Sequence, residues 1–235
     1  MIRNKTVLIT GGNKGIGLSV TEKFVNSGYE VIVIARNFND FKFNGHQSIT
    51  TIQFDLINIA GIPDLISQLP SVDILINNAG IMYALPYDNY PQDKVDNILK
   101  INIESPVALI REVSKTMISN NYGRIVNNAS IAGEIGHPDI WYGITKAGII
   151  NMTKSFAKIL GANGIVVNAV AAGPVETKML NIIPEQRKKD IKKSVYTGRF
   201  AYPEEVANTI YWLATECPEY INGTCLDINN GAFPR

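Results

Sequence analysis

The sequence predicts a single-domain α/β protein, a doubly wound parallel sheet of about seven strands with helices on both faces. Three observations carry this expectation. Short apolar runs recur from end to end, with helical stretches between them. Most of the runs are continuously apolar rather than alternating, which suits strands buried on both faces. No linker, internal repeat or low-complexity tract divides the 235 residues.

The strand runs, in order, are Thr6–Thr10, Glu30–Ala35, Ile49–Phe54, Ile74–Asn77, Gly123–Asn127, Ile165–Ala169 and Thr224–Asp227. The first helix is expected over Ile16–Asn26, stopped by Ser27-Gly28, because glycine readily takes the left-handed conformation that ends a helix. Further helices are expected over Gly61–Gln68, Tyr142–Leu160, Pro184–Ser194 and Pro203–Ala214. The stretch Pro91–Asn120 is long enough for two helices, and Pro106 within it suits a helix's first turn or a kink.

Bulk properties narrow the function. Hydrophobic residues make up 46% and charged residues 18%, the balance of a soluble globular protein. A formal net charge of +1 implies no general attraction to nucleic acid or to an anionic membrane. The N-terminus runs from Arg3 and Lys5 straight into Val7-Leu8-Ile9, which reads as no signal peptide, and no apolar run is long enough to span a bilayer. Cys217 and Cys225 lack His or Cys neighbours at metal-site spacing and read as reduced thiols in a cytoplasmic protein. No cluster of His, Cys and acids suggests a metal.

Thr10-Gly11-Gly12-Asn13-Lys14-Gly15-Ile16-Gly17 follows the first strand and opens the first helix. Glycines there permit a tight turn and close approach of backbone to a ligand, and the helix N-terminus offers free N–H groups and a positive dipole end to a pyrophosphate. Position after the first strand of a βαβ unit favours dinucleotide binding over a plain strand–helix turn. The second strand ends Ile34-Ala35-Arg36, where such folds commonly place an acid for the ribose hydroxyls. Here there is no acid and one guanidinium, with Lys14 within reach of the same place, so NADP(H) is expected over NAD(H).

Tyr142 and Lys146 lie four residues apart, on one face of the predicted helix. A nearby ammonium favours the phenolate and would draw the tyrosine pKa down, fitting the phenol to exchange a proton with a carbonyl oxygen or an alcohol.

Together these motifs resemble the short-chain dehydrogenase/reductase family, over essentially the whole chain, and the resemblance implies a Rossmann-type fold. Thr10–Gly17 is similar to the family's cofactor loop. Asp55 resembles the acid that contacts the adenine, with Leu56 beside it. Asn77-Asn78-Ala79-Gly80 is similar to the fourth-strand motif that lines the cofactor cleft. Asn102, Ser130, Tyr142 and Lys146 match the catalytic tetrad, and Asn168–Thr177, with Gly173, Val175 and Thr177, resembles the segment around the nicotinamide. Arg199–Ala207 and Tyr220–Gly231 are similar to the 3-oxoacyl-[acyl-carrier-protein] reductase branch. The resemblance implies hydride transfer between a nicotinamide and a carbonyl carbon or its alcohol. Tyr142 would be the general acid/base and Lys146 its modulator and ribose ligand. Ser130 would bond the carbonyl oxygen, and Asn102 would hold a water linking Lys146 to solvent.

Three departures stand out. Ala172 replaces a usual proline, with Gly173-Pro174 following; Ser130 lies 12 residues before Tyr142 where 13 is common; and Asn229-Asn230-Gly231 replaces Asp-Gly-Gly. Ala172 is expected to loosen or re-aim the loop over the nicotinamide, and the pocket loop is expected to be one residue short; none of the three departures removes a catalytic group. The expected pocket wall includes Ile81, Met82, Glu134, Trp141 and Met179 and is mostly apolar, suiting a neutral ketone or an acyl chain. Segment 176–201 resembles the mobile substrate lid, and its Arg187, Lys188, Lys189, Lys192 and Lys193 form a solvated face or a dock for an acidic carrier protein. Against a carrier, Asn121 and Asn163 stand about where carrier-reducing members have arginines. The cofactor-binding half is placed at about 1–100 and the catalytic half at about 101–235. His137, in the loop before Tyr142, reads as solvated or as touching substrate. The resemblance implies a homotetramer or homodimer. The competing reading is a catalytically silent nucleotide-binding sensor or scaffold, which could have lost one of the four residues without penalty.

Overall fold

Alternating side chains of each central strand point to opposite faces, and in this chain both faces are apolar. The computed structural model describes residues 4–234. Strands β1 (Thr6–Thr10), β2 (Glu30–Ala35), β3 (Ile49–Gln53), β4 (Ile74–Asn77), β5 (Gly123–Asn128), β6 (Ile165–Ala172) and β7 (Cys225–Ile228) form one sheet in the order β3-β2-β1-β4-β5-β6-β7. Every pairing is parallel. Leu8, Ile32, Leu75, Ile125 and Val167 project to one face; Val7, Ile9, Val33, Ile76 and Val126 project to the other.

Helices cover both faces. The first face packs on α2 (Ile62–Ser67), α4 (Ser105–Ser119) and α5 (Ile140–Leu160), through Leu109, Val113, Met117, Ile149 and Leu160. The second packs on α1 (Gly15–Asn26) and α7 (Pro203–Thr215), through Val20, Phe24, Val206, Ile210 and Leu213. These buried apolar side chains contribute roughly 1.5–3 kcal/mol each relative to exposure. The remaining helices are α3 (Gln92–Leu99) and α6 (Glu185–Ser194).

The expected elements are present, with differences that have physical causes. β6 runs on past Ala169 to Ala172 because Val170, Ala171 and Ala172 find partners in Leu226, Asp227 and Ile228. An alanine at 172 keeps the backbone N–H that a proline would lack. The stretch 91–120 holds two helices joined by a π-helical turn, Lys100–Glu104, with Pro106 in the first turn of α4. α5 starts at Ile140, two residues earlier than expected, because the Asp139 carboxylate accepts from Tyr142 N at 3.1 Å and caps it.

The order of strands reverses between β1 and β4, so the loops after them diverge and leave a crevice at the carboxyl edge of the sheet. The glycine loop follows β1, and Asn78-Ala79-Gly80 follows β4.

Candidate active site

Side-chain amides wire the glycine loop to the rest of the crevice. Gly17 sits so close to Gly11 that an added Cβ would lie 2.1 Å from the Gly11 carbonyl oxygen. Asn78 Nδ2 donates to Thr10 O at 3.0 Å and to Gly11 O at 3.3 Å. Asn128 Nδ2 donates to Asn78 Oδ1 at 3.0 Å, and Lys146 Nζ donates to Asn128 O at 2.7 Å. A chain of hydrogen bonds thus runs from the glycine loop through the segment after β4 and the end of β5 to Lys146. Alongside it, Asn77 Nδ2 donates to Asn127 Oδ1 and Asn127 Nδ2 to Thr153 Oγ1, tying the central strands to α5.

The residues expected to hold a dinucleotide fit one. α1 begins at Gly15 with no side-chain cap and no acid in its first turn, so its leading N–H groups and dipole are left for an anion. Gly11 and Gly15 have positive φ, which lets this backbone fold tightly beneath a ligand. Thr177 packs over the loop, 3.3 Å from where a Gly15 Cβ would stand. Gly173 N donates to Ile228 O, and Val175 pairs with Ala201, fixing the segment before Thr177. Asn13 Nδ2 donates to Asn37 O at 2.8 Å, which holds the loop against the end of β2. Arg36 and Lys14 are both exposed there, with Ile16 partly buried behind them. Asp55 accepts from Ile57 N in a tight turn, while Leu56 is buried.

Asn102, Ser130, Tyr142 and Lys146 come from three different elements of the chain. Asn102 lies in the π-helical turn and is fully buried. Its Oδ1 accepts from Ile81 N at 2.9 Å; its Nδ2 donates to Ile81 O and to Thr145 Oγ1, both at 3.0 Å. The amide therefore clamps the loop after β4 to α5. Ser130 follows β5, accepts from Ala132 N at 3.1 Å, donates to Ala172 O at 3.4 Å, and its hydroxyl acts on the Tyr142 phenol to lower its pKa. The turn after Ser130 presses on α5: a Cβ at Gly133 would come 2.5 Å from the Lys146 carbonyl carbon. Lys146 is 5% exposed.

Electrostatics here differ from the expectation of an ammonium pulling the phenol down. Burial pushes Tyr142 up, the bond from Ser130 opposes that, and the Asp139 charge adds to it. Burial drives Lys146 down to about 8. The Lys146 Nζ lies over the Tyr142 ring, 5.6 Å from its centroid, and bonds a carbonyl rather than the phenol oxygen. Desolvation disfavours both charged forms, so it outweighs their mutual attraction in the protein alone.

Asp139, to which the sequence reading gives no role, organises this end of the site. It is 1% exposed. Besides capping α5, its carboxylate accepts from Tyr83 N at 3.2 Å, Ala84 N at 2.8 Å and the Tyr90 hydroxyl at 3.2 Å. Burial and this neighbouring charge hold the Tyr90 phenol well above its ordinary value. The available signal is an Asp three residues before Tyr142, in a Pro-Asp step at the start of a helix. His137 is not a solvated loop residue: it is partly buried, with its ring 5.3 Å from that of Tyr142.

The expected pocket residues sit on the loops above the carboxyl edge. Met82 follows β4, Glu134 ends the turn after Ser130, Trp141 lies in the first turn of α5, and Met179 is in the 3-10 turn Lys178–Ile182. Met82, Glu134 and Trp141 are partly buried; Met179 is exposed. Among the described residues there is no cluster of three metal-ligating side chains, and no helix is long and apolar enough to cross a membrane.

A parallel sheet with a reversed strand order, a glycine loop at the crevice, and Ser, Tyr and Lys meeting beside it define a dinucleotide-dependent oxidoreductase. A family model described as Enoyl-(Acyl carrier protein) reductase matches residues 11–232. The chain belongs to the short-chain dehydrogenase/reductase family, and it is an oxidoreductase of the 3-oxoacyl-reductase-like branch. It is 34% identical to the 3-oxoacyl-[acyl-carrier-protein] reductase FabG of Rickettsia bellii over 234 residues, which is 98% of this chain and 97% of that protein. Among solved structures it is similar to 4-hydroxyisoleucine dehydrogenase complexed with NADH, at 28% identity and a TM-score of 0.92, covering 98% of this chain and 99% of that one. It is also similar to ElxO with NADP bound, at 29% identity and a TM-score of 0.90, covering 99% and 100%. The first of these holds NADH and the second NADP. Nothing in these likenesses supports a catalytically silent sensor.

Proposed function

We propose that this protein is an NADP(H)-dependent reductase that converts a ketone to a secondary alcohol, with Tyr142 as general acid/base. The observation that carries the reading is the meeting of Ser130, Tyr142 and a buried Lys146 at the crevice where the strand order reverses. When bound, the nicotinamide supplies the hydride. Gly11, Asn13, Gly15, Ile16 and Gly17 hold the pyrophosphate, Asp55 and Leu56 the adenine, and Asn78, Ala79, Gly80, Gly173, Val175 and Thr177 the inner part of the cofactor. Lys14 and Arg36, both exposed beside the end of β2, accept a 2′-phosphate, which supports NADP(H) over NAD(H).

In the reduction, Ser130 donates to the carbonyl oxygen and stabilises the charge that develops there. Tyr142 delivers the proton to the same oxygen. A phenol held neutral by burial is in the right form to donate, and Lys146 supports the phenolate left behind. Reprotonation runs through water at Asn102. Its Oδ1 keeps a second lone pair, and both this atom and Lys146 Nζ lie about a contact distance from the space above Gly80, 3.5 and 3.6 Å from where a Cβ would stand.

Substrate enters under segment 176–201, which carries Met179 and closes over Met82, Glu134 and Trp141. Residues 1–235 act as one unit, with a cofactor half at about 1–100 and a catalytic half at about 101–235, in a cytoplasmic homotetramer or homodimer. A 3-oxoacyl thioester on an acyl-carrier protein is one substrate class, supported by the likeness to FabG. The test is depletion of NADPH and, in parallel, NADH against a panel of 3-oxoacyl thioesters, diketones and oxo acids. Turnover with NADPH preferred is expected; no turnover with any ketone, or a clear preference for NADH, would overturn the reading.

A further inference from the structure

α6 brings one cation to the loop that leads into the catalytic helix and sets it against the His137 ring. Arg187 is partly buried, and its Nη2 lies 3.3 Å from His137 Nε2. His137 Nδ1 in turn lies 3.2 Å from the Asp139 carbonyl oxygen, and the ring packs 5.3 Å from that of Tyr142, centroid to centroid. Asp139 N also lies 3.2 Å from Nδ1, so no one tautomer serves every contact of the ring. With the proton on Nδ1, that atom donates to Asp139 O and the Nε2 lone pair accepts from the guanidinium, at the expense of the Asp139 N–H contact. Burial and the neighbouring Arg187 charge both oppose a second proton on this imidazole.

The acids of these two helices are engaged elsewhere. On α6, Glu185 pairs with Lys188 and Asp190 with Lys193. The Asp139 carboxylate serves Tyr142 N, Tyr83 N, Ala84 N and the Tyr90 hydroxyl. A guanidinium has five N–H donors in a planar fork that matches a carboxylate with two parallel bonds. Here a neutral ring orients that fork, one side chain away from the phenol that would protonate the substrate.

We infer that Arg187, oriented by His137, binds a carboxylate of the substrate, so that the protein acts on a short oxo acid in preference to a neutral ketone or ester. This rests on the reading that Tyr142 acts on a ketone, and it names the substrate class of that same site. The apolar side chains of the pocket then cover the carbon chain between the reacting carbonyl and the acid group.

The test pairs acids with their own esters. Levulinate with methyl levulinate, and acetoacetate with methyl acetoacetate, are compared as substrates of the full chain with NADPH. The acid should exceed its ester in kcat/KM by tenfold or more, and Arg187→Ala should collapse that ratio to near one; Arg187→Lys should recover part of it. An ester used as well as its acid overturns the inference, and so does a ratio that survives Arg187→Ala. If instead Arg187→Ala selectively impairs acetoacetyl-coenzyme A over acetoacetyl-N-acetylcysteamine while leaving the acid-to-ester ratio intact, the fork serves a phosphate arm and the carboxylate assignment is wrong. Calorimetry of levulinate and its methyl ester against the NADP+-loaded protein separates the two readings. Loss of all turnover defeats the ketoreductase, whereas selective binding of the acid that needs Arg187 sustains the subsite.

Discussion

Asp139→Ala offers a demanding check on how this site is held together. One buried carboxylate caps the helix that carries Tyr142 and Lys146 and anchors the loop that carries Met82. Loss of the cap costs about 1 kcal/mol. The Tyr83 and Ala84 amides and the Tyr90 hydroxyl each lose an acceptor, at up to about 3 kcal/mol if they stay dry. The loop can swing towards water, since Ala84 and the residues up to Asn89 are mainly exposed, and that brings each loss nearer to about 1 kcal/mol. A total of about 4 kcal/mol follows, which for a chain of this size lowers Tm by roughly 8–16 °C. Calorimetric unfolding reads that shift. Asp139→Asn, which keeps the shape and removes the charge, should give a smaller loss and a second signature. The Asp139 charge helps to hold the Tyr142 phenol up, so removing it lowers the phenol's pKa and moves the alkaline limb of kcat/KM for reduction to lower pH. An unchanged Tm in the alanine variant, together with an unchanged pH profile in the asparagine variant, would refute the role given to this residue.

Three other outcomes are expected. Arg36→Ala should cut the preference for NADPH over NADH by roughly tenfold, read as the ratio of kcat/KM values, because one charge-assisted contact to a phosphate is lost. Lys146 has a folded-state pKa of about 8, below its ordinary value of 10.5. The unfolded chain therefore binds more protons between those values, and the stability of the cofactor-free protein should rise as pH climbs from about 8 to about 10.5. Lys146→Met should remove that rise, stabilise the protein at pH 7 by roughly 1–3 kcal/mol, and abolish turnover, as measured by thermal unfolding across pH and by NADPH consumption. Gly80→Ala adds a methyl at ordinary contact distance from Asn102 and Lys146, so Tm should change little while kcat falls, about tenfold or more, as the water path is filled; equal kcat would exclude that path.

Much of this architecture is legible in the sequence because its strands are buried on both faces. Runs such as Val31–Ala35 and Ile74–Ile76 have no polar interruption and no competing periodicity. Strand ends are less legible where pairing, not composition, decides them: Ala171 and Ala172 extend β6 because Asp227 and Ile228 lie alongside. The four residues Asn102, Ser130, Tyr142 and Lys146 are visible by order and spacing. What fixes them is not. Asn102 in the π-helical turn is held by the Ile81 peptide, 21 positions away, and the Asn78–Asn128 bond joins the loop after β4 to β5 across 50 positions. Likewise Tyr142 and Lys146 show their spacing, but the sequence does not show that burial dominates their ionisation. His137 gives no hint of its packing on Tyr142, nor of its contact with Arg187, which α6 brings from 50 positions away.

The central claim is that one phenol supplies the proton during carbonyl reduction. Tyr142→Phe removes that hydroxyl and little else. Its kcat with NADPH and the best ketone should fall by roughly 10²–10⁴-fold, while the fluorescence titration of NADPH gives a Kd within about threefold of the parent. A variant that keeps more than about a tenth of the parent's kcat would contradict the account.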